Sequence, residues 1–160
     1  MNARFALTGL LTSVVNLVLH AGTYFLLLER FFAEHPAGTE EFRRQLVKDA
    51  DHMVLWALAL SALAFGTFIT TAVRWSGARD WGSGLKTGAI MGTLVWSGVN
   101  FGLYASSNNF SLAGTLADLA GSALCMTLSA GFAAWLLHAG RRQHDATTPV
   151  TRPSPALGGD

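Results

Sequence analysis

The stretch FALTGLLTSVVNLVLHAGTYFLLL, Phe5 to Leu28, decides how this chain is read. It carries no charged residue over 24 positions. As an α-helix it reaches about 36 Å, enough to cross a hydrocarbon core of about 30 Å with some tilt. A cleaved export signal is the competing reading, because Arg4 precedes the apolar run. Such a signal ends at a small-residue cleavage site followed by polar sequence. Here Tyr24-Phe25-Leu26-Leu27-Leu28 simply continues the run. The segment is expected to stay as a membrane anchor.

Three further apolar runs follow, Met53 to Val73, Leu85 to Ala105 and Leu112 to Leu137. In lipid every backbone polar group needs an internal partner, so only helices or closed barrels span. Barrel strands alternate apolar and polar residues over about ten positions. These runs are about twice that long and do not alternate, so helices are expected. The chain therefore reads as an all-α polytopic membrane protein. Its expected form is an up-down bundle of four transmembrane helices over residues 1–142, with a disordered cytoplasmic tail over 143–160. The tail is rich in Thr, Pro, Ser and Gly and poor in apolar residues.

Between the first two runs the chain turns polar from Glu29 to His52. His35-Pro36-Ala37-Gly38-Thr39 reads as a turn, and Thr39 followed by Glu40 and Glu41 as a helix start, with acids at the positive dipole end. Phe42, Leu46 and Val47 fall at helical spacing within Glu40 to Asp51, predicting a short amphipathic segment on the membrane surface or on the bundle.

Composition excludes several classes. Hydrophobic residues make up 51% and charged residues 13%, about half the charge share of a soluble domain. A net charge of +1 with no basic patch interleaved with aromatics argues against a nucleic-acid partner. The single cysteine, Cys125, allows no intrachain disulfide and no cysteine-rich metal site. Asp49, Asp51 and His52 read as solvated surface charge rather than a cation site. Gly82, Gly84 and Gly88 around Lys86 match no phosphate-loop pattern. No cofactor, no metal and no enzymatic constellation is expected.

Basic residues set the orientation. Four spans place Arg4, Arg74, Arg79, Lys86, Arg141, Arg142 and Arg152 on one side. The other side holds Arg30, Arg43, Arg44 and Lys48, outnumbered by six acids. The positive-inside rule then puts both termini in the cytoplasm and the long acidic loop outside. Trp75, Trp81 and Trp135 would mark the inner interface, and Phe31, Phe32, Tyr104 and Phe110 the outer one. His138 and His144 beside Arg141 and Arg142 read as an interfacial basic stop attracted to anionic lipid.

Small residues offer the packing surfaces. Gly84, Gly88 and Gly92 repeat every fourth residue in the third span. Ala113, Ala117, Gly121, Cys125, Ser129 and Ala133 form a ladder in the fourth. Both are expected to serve tight crossings inside the bundle, with a dimer face as the alternative.

Polar residues inside the spans are the candidate chemistry. Thr8, Thr12, Asn16, His20 and Tyr24 form one stripe on the first span; Thr93, Ser97, Asn100 and Tyr104 share a face of the third; Asp118 is the one acid of the fourth. A charged carboxylate at that depth costs several kcal/mol unless neutralised or paired, by about 3 kcal/mol on insertion scales. Asp118 should be protonated, hydrogen-bonded to Asn100 or paired with His20, or else cap a helix that begins later. The expectation is a polar site of Asp118, His20 and Asn100 with Asn16 nearby, open to the periplasmic side. Interhelical bonding without further function is the competing account.

The second half also carries a resemblance. Gly88-Ala89-Ile90-Met91-Gly92, Tyr104-Ala105-Ser106-Ser107-Asn108, Leu112 and Leu116-Ala117-Asp118-Leu119-Ala120-Gly121 resemble segments of a group of small uncharacterised bacterial four-helix membrane proteins. The resemblance implies a bacterial inner-membrane protein and brings no activity with it. The resulting expectation is a non-enzymatic structural or accessory protein with the lipid bilayer, a second copy or a membrane complex as partner. The alternative is a small transporter or channel component that uses Asp118 and His20 for proton or solute coupling.

Overall fold

The computed structural model describes residues 3–39, 41–42, 45, 48, 50–108 and 110–139. Among these the protein is helical, with four long helices and no strand. We label them α1 (Ala3–Glu34), α2 (Leu55–Trp75), α3 (Trp81–Ser106) and α4 (Leu112–His138). α1, α2 and α4 are each long and apolar enough to cross a membrane. α3 is as long, but Lys86, Ser97, Asn100 and its many glycines dilute its apolar character. The protein is membrane-embedded by this criterion.

The helix ends follow local chemistry. α3 begins at Trp81, four residues before the apolar run, because Asp80 caps it. The Asp80 carboxylate accepts from the Ser83 amide at 3.0 Å and the Ser83 hydroxyl at 2.9 Å, while Ser83 Oγ accepts from the Asp80 amide. α4 begins at Leu112 under a Ser111 cap, whose hydroxyl accepts from the Gly114 amide at 3.1 Å. That excludes Asp118 as a cap.

α1 departs most from expectation. It runs past the apolar stretch to Glu34, so the polar segment does not begin as a loop at Glu29. Within it, Tyr24–Leu28 is a π-helical turn, and the Glu29 amide donates to the Tyr24 carbonyl five residues back. At 32 residues, α1 spans about 48 Å, the thickness of core plus headgroups. Arg30 and Glu34, paired at 2.8 Å and largely exposed, sit on the added turn. His35 then leaves the helix ahead of Pro36, as a residue before proline must, and Gly38 takes a φ of 77°. Thr39 Oγ1 accepts from the Phe42 amide at 3.3 Å. Half of the expected amphipathic segment, Glu40 to Asp51, and the tail over 143–160 lie outside the described residues.

α4 is the central helix. It packs along α3 and against both α1 and α2, while α1 pairs with α2. Its small residues allow this, and they use two faces. The α3 glycines rest on Ala123, Met126, Ala130 and Ala134. A Cβ at Gly84 would stand 2.6 Å from Ala134 Cβ, one at Gly88 2.6 Å from Ala130 Cβ, and one at Gly92 3.0 Å from the Ala123 carbonyl. The ladder that the sequence singles out faces α1 instead. A Cβ at Gly121 would meet Thr23 Cγ2 at 3.0 Å, Cys125 Sγ lies 3.2 Å from Thr23 Oγ1, and Ser129 contacts Asn16; Ala117 above them is half-buried. A third close crossing joins α1 to α2, where Gly66 abuts the Ser13 backbone, 2.6 Å from Ser13 Cα to an added Cβ.

The interior is correspondingly small and polar. Its largest fully buried side chains are Ile69, Val73, Asn100, Thr8, Thr12, Thr70, Thr115, Cys125 and Ser129. Leu26, Leu55, Trp56, Ile90 and Leu94 stand outside, each at least 60% exposed. This inversion suits a chain whose solvent is lipid, where leucine gains nothing by burial and backbone approach does. Three interior hydroxyls are satisfied by the carbonyl one turn back: Ser13 on Gly9, Thr70 on Gly66, Thr115 on Ser111.

Candidate functional site

The four intramembrane residues marked in the sequence lie on three helices. Asn100 on α3 is 1% exposed and donates from Nδ2 to Asp118 Oδ2 on α4 at 2.9 Å. Both sit six residues, or about 9 Å, from the same end of their helices. The short 107–111 connection sets them at equal depth.

Asn16 on α1, 6% exposed, takes a different partner. Its Oδ1 accepts from Ser129 Oγ on α4 at 3.1 Å. Ser129 is 11 residues beyond Asp118 on the same helix, so the two polar pairs are about 16 Å apart along the axis. His20, one turn from Asn16, falls between these levels. No hydrogen bond or ion pair joins it to Asp118 among the described residues. The structure thus gathers Asn100 with Asp118, and Asn16 with Ser129, but not all four into one hydrogen-bonded cluster.

His20 has its own surroundings, which the sequence did not reveal. Its Nδ1 lies 2.9 Å from the Asn16 carbonyl. A carbonyl only accepts, so Nδ1 is the donor here, and in the tautomer protonated at Nδ1 alone Nε2 is an acceptor. Nε2 is buried with no partner. The ring tilts against Trp96 on α3 at 5.7 Å between centroids, and Trp96 in turn stacks on Phe65 of α2 at 5.8 Å and 9°. Trp96 Nε1, a donor only, is likewise buried and unpartnered. An unused donor and an unused acceptor therefore share one aromatic cluster where three helices meet. Trp96 stands one turn before Asn100, and that spacing was the only signal available in the chain. The Thr12 hydroxyl, two turns below His20, is also buried and unpartnered.

The stripe on α1 is buried at Thr8, Thr12 and Asn16 and ends at His20; Tyr24 opens the π turn and is 43% exposed. At the far end, Phe32 stacks on Phe110 at 5.4 Å and Ser111 Oγ donates to the His35 carbonyl at 3.1 Å, clasping the end of α1 to the start of α4. Among the described residues no group of three or more His, Cys, Asp or Glu could hold a metal ion.

The arrangement can hold helices in register through polar pairs, and it leaves His20 Nε2 and Trp96 Nε1 without partners. Compared with known proteins, the chain matches no family model, no curated protein and no solved structure.

Proposed function

We propose that this chain is a structural or accessory four-span protein of a bacterial inner membrane, with both termini cytoplasmic and no enzymatic activity. One observation carries the reading: two pairs of intramembrane polar side chains bond across helices, Asn100 to Asp118 and Asn16 to Ser129. Such bonds are worth about 0.6 kcal/mol each on average, and they fix which helix meets which. The fourth span is α3, whose 26 residues cover about 39 Å. It turns Ile90, Leu94, Val99 and Phe101 outward, a surface suited to lipid. The partner is the bilayer together with a second copy or a membrane complex.

Affinity purification from native membrane, paired with a flux assay in proteoliposomes, tests this. The expected result is a stoichiometric partner or dimer and no proton-dependent flux. A flux carried by the wild type and abolished by Asp118→Asn would replace this reading with transport. That second reading has one observation in its favour, the unpartnered His20 Nε2 and Trp96 Nε1 in the interior, which a water or solute would satisfy.

A further inference from the structure

At the end of the bundle where α1 begins and α2 and α4 finish, a cavity of about 310 Å³ is lined by Arg4, Phe5, Arg74, Arg79, Leu137 and His138, with Gly77 and Ala78 at its floor. The size lies at the lower end of ligand pockets, about 300–1,000 Å³. Three arginines and a histidine line it, and among the described residues no acidic residue does. The Arg30–Glu34 ion pair lies at the opposite end of α1. Asp80, next to Arg79 in the chain, is engaged by Ser83 at the start of α3.

Two of the three guanidinium groups are held in place. Arg4 donates from Nη2 to the Leu136 carbonyl near the end of α4 at 3.0 Å, and Arg74 lies over the Phe5 ring at 5.4 Å. Gly77, at a φ of 70°, makes the turn that carries Arg79 back towards the other two. Like charges converging without a counter-charge are costly unless an anion completes them. The planar fork of arginine suits phosphate oxygens. Trp75 at 84%, Trp135 at 50% and Trp81 at 43% exposure ring the same end, where indoles settle at headgroup level.

We propose that this cavity is a phosphate-binding site that takes the headgroup of an anionic phospholipid from the adjoining leaflet. Arg74 and Arg79 supply the contacts, and Arg4 braces the pocket through its bond to α4. The proposal rests on the membrane-embedded reading but not on the accessory role, so a negative lipid result and a positive flux result are separable failures.

The test uses the full chain in neutral detergent, with retention of lipid followed by native mass spectrometry and thermal stability followed in parallel. Phosphatidylglycerol should be retained and should stabilise, and phosphatidylcholine should do neither. Each removed guanidinium should weaken retention about five-fold, so Arg74→Gln with Arg79→Gln should weaken it about 25-fold, while Arg74→Lys keeps most of it. Arg30→Gln, at the other end, should leave retention unchanged. Circular dichroism confirms that each variant is folded, and Arg79→Gln alone, on the link between helices, serves if the double variant is not. Equal retention of the two lipids, or equal loss on Arg30→Gln, overturns the site. Inorganic phosphate giving the same stabilisation without lipid, and displacing phosphatidylglycerol, would assign the pocket to a soluble phosphate and overturn the lipid as its source.

Discussion

Replacing Gly88 by alanine adds one methyl group at the tightest part of the α3–α4 seam. That carbon would stand 2.6 Å from Ala130 Cβ, 2.8 Å from the Met126 carbonyl and 2.8 Å from Thr127 Cα. Carbon pairs settle at about 3.5–4.0 Å, so the deficit is about 1 Å. Two of the three obstacles are backbone, and no rotamer relieves them. The helices must separate, and the loss spreads along Gly84, Gly88 and Gly92 together. Overpacking of this kind costs about 1–3 kcal/mol. Gly98→Ala and Gly102→Ala, on the same helix, meet nothing within 4 Å. Alanine is the better helix former by about 0.8–1.0 kcal/mol in water, so these two should be neutral or mildly stabilising. Reversible unfolding of the three variants in mixed detergent micelles, followed by circular dichroism, measures the contrast directly. If Gly88→Ala unfolds at the same point as Gly98→Ala, the seam is not what holds α3 to α4 and the packing argument fails.

Gly66→Ala should destabilise α1 against α2 by a similar 1–3 kcal/mol, since its methyl meets the Ser13 backbone; melting that matches wild type would refute the crossing. Asp118→Asn keeps an oxygen for the Asn100 amide and should fold normally, whereas Asn100→Leu should lose about 0.6 kcal/mol or somewhat more, because it strands the carboxyl; a chemical-denaturation series separates the two, and equal behaviour argues against the bond. Ser111→Ala should cost about 1 kcal/mol and fray the first turn of α4, visible as faster amide exchange at Gly114 and Thr115. A reporter fused after residue 140 should be active only in its cytoplasmic form, and periplasmic activity would reverse the proposed orientation.

Sequence alone determined that this is a helical membrane protein, because that outcome depends on composition and run length. Charge-poor segments long enough to cross the hydrocarbon core have no other stable state in lipid. It also pointed to the Asn100–Asp118 contact, since both lie at matched distances from a short connection. Contacts across the bundle were beyond it. Register and rotation between helices distant in the chain depend on how whole surfaces interlock, and no local pattern encodes that. Only the tertiary structure decided that Asn16 goes to Ser129, that His20 goes to Trp96, and that the α4 ladder faces α1 while a second ridge takes the α3 glycines. The same is true of α1 running on to Glu34, where a π turn carries a helix into charged sequence that reads locally as loop. Arg4 stands far from Arg74 and Arg79 in the chain, and all three were counted singly as orientation signals. Folding three helix ends together is what turned them into the wall of one pocket.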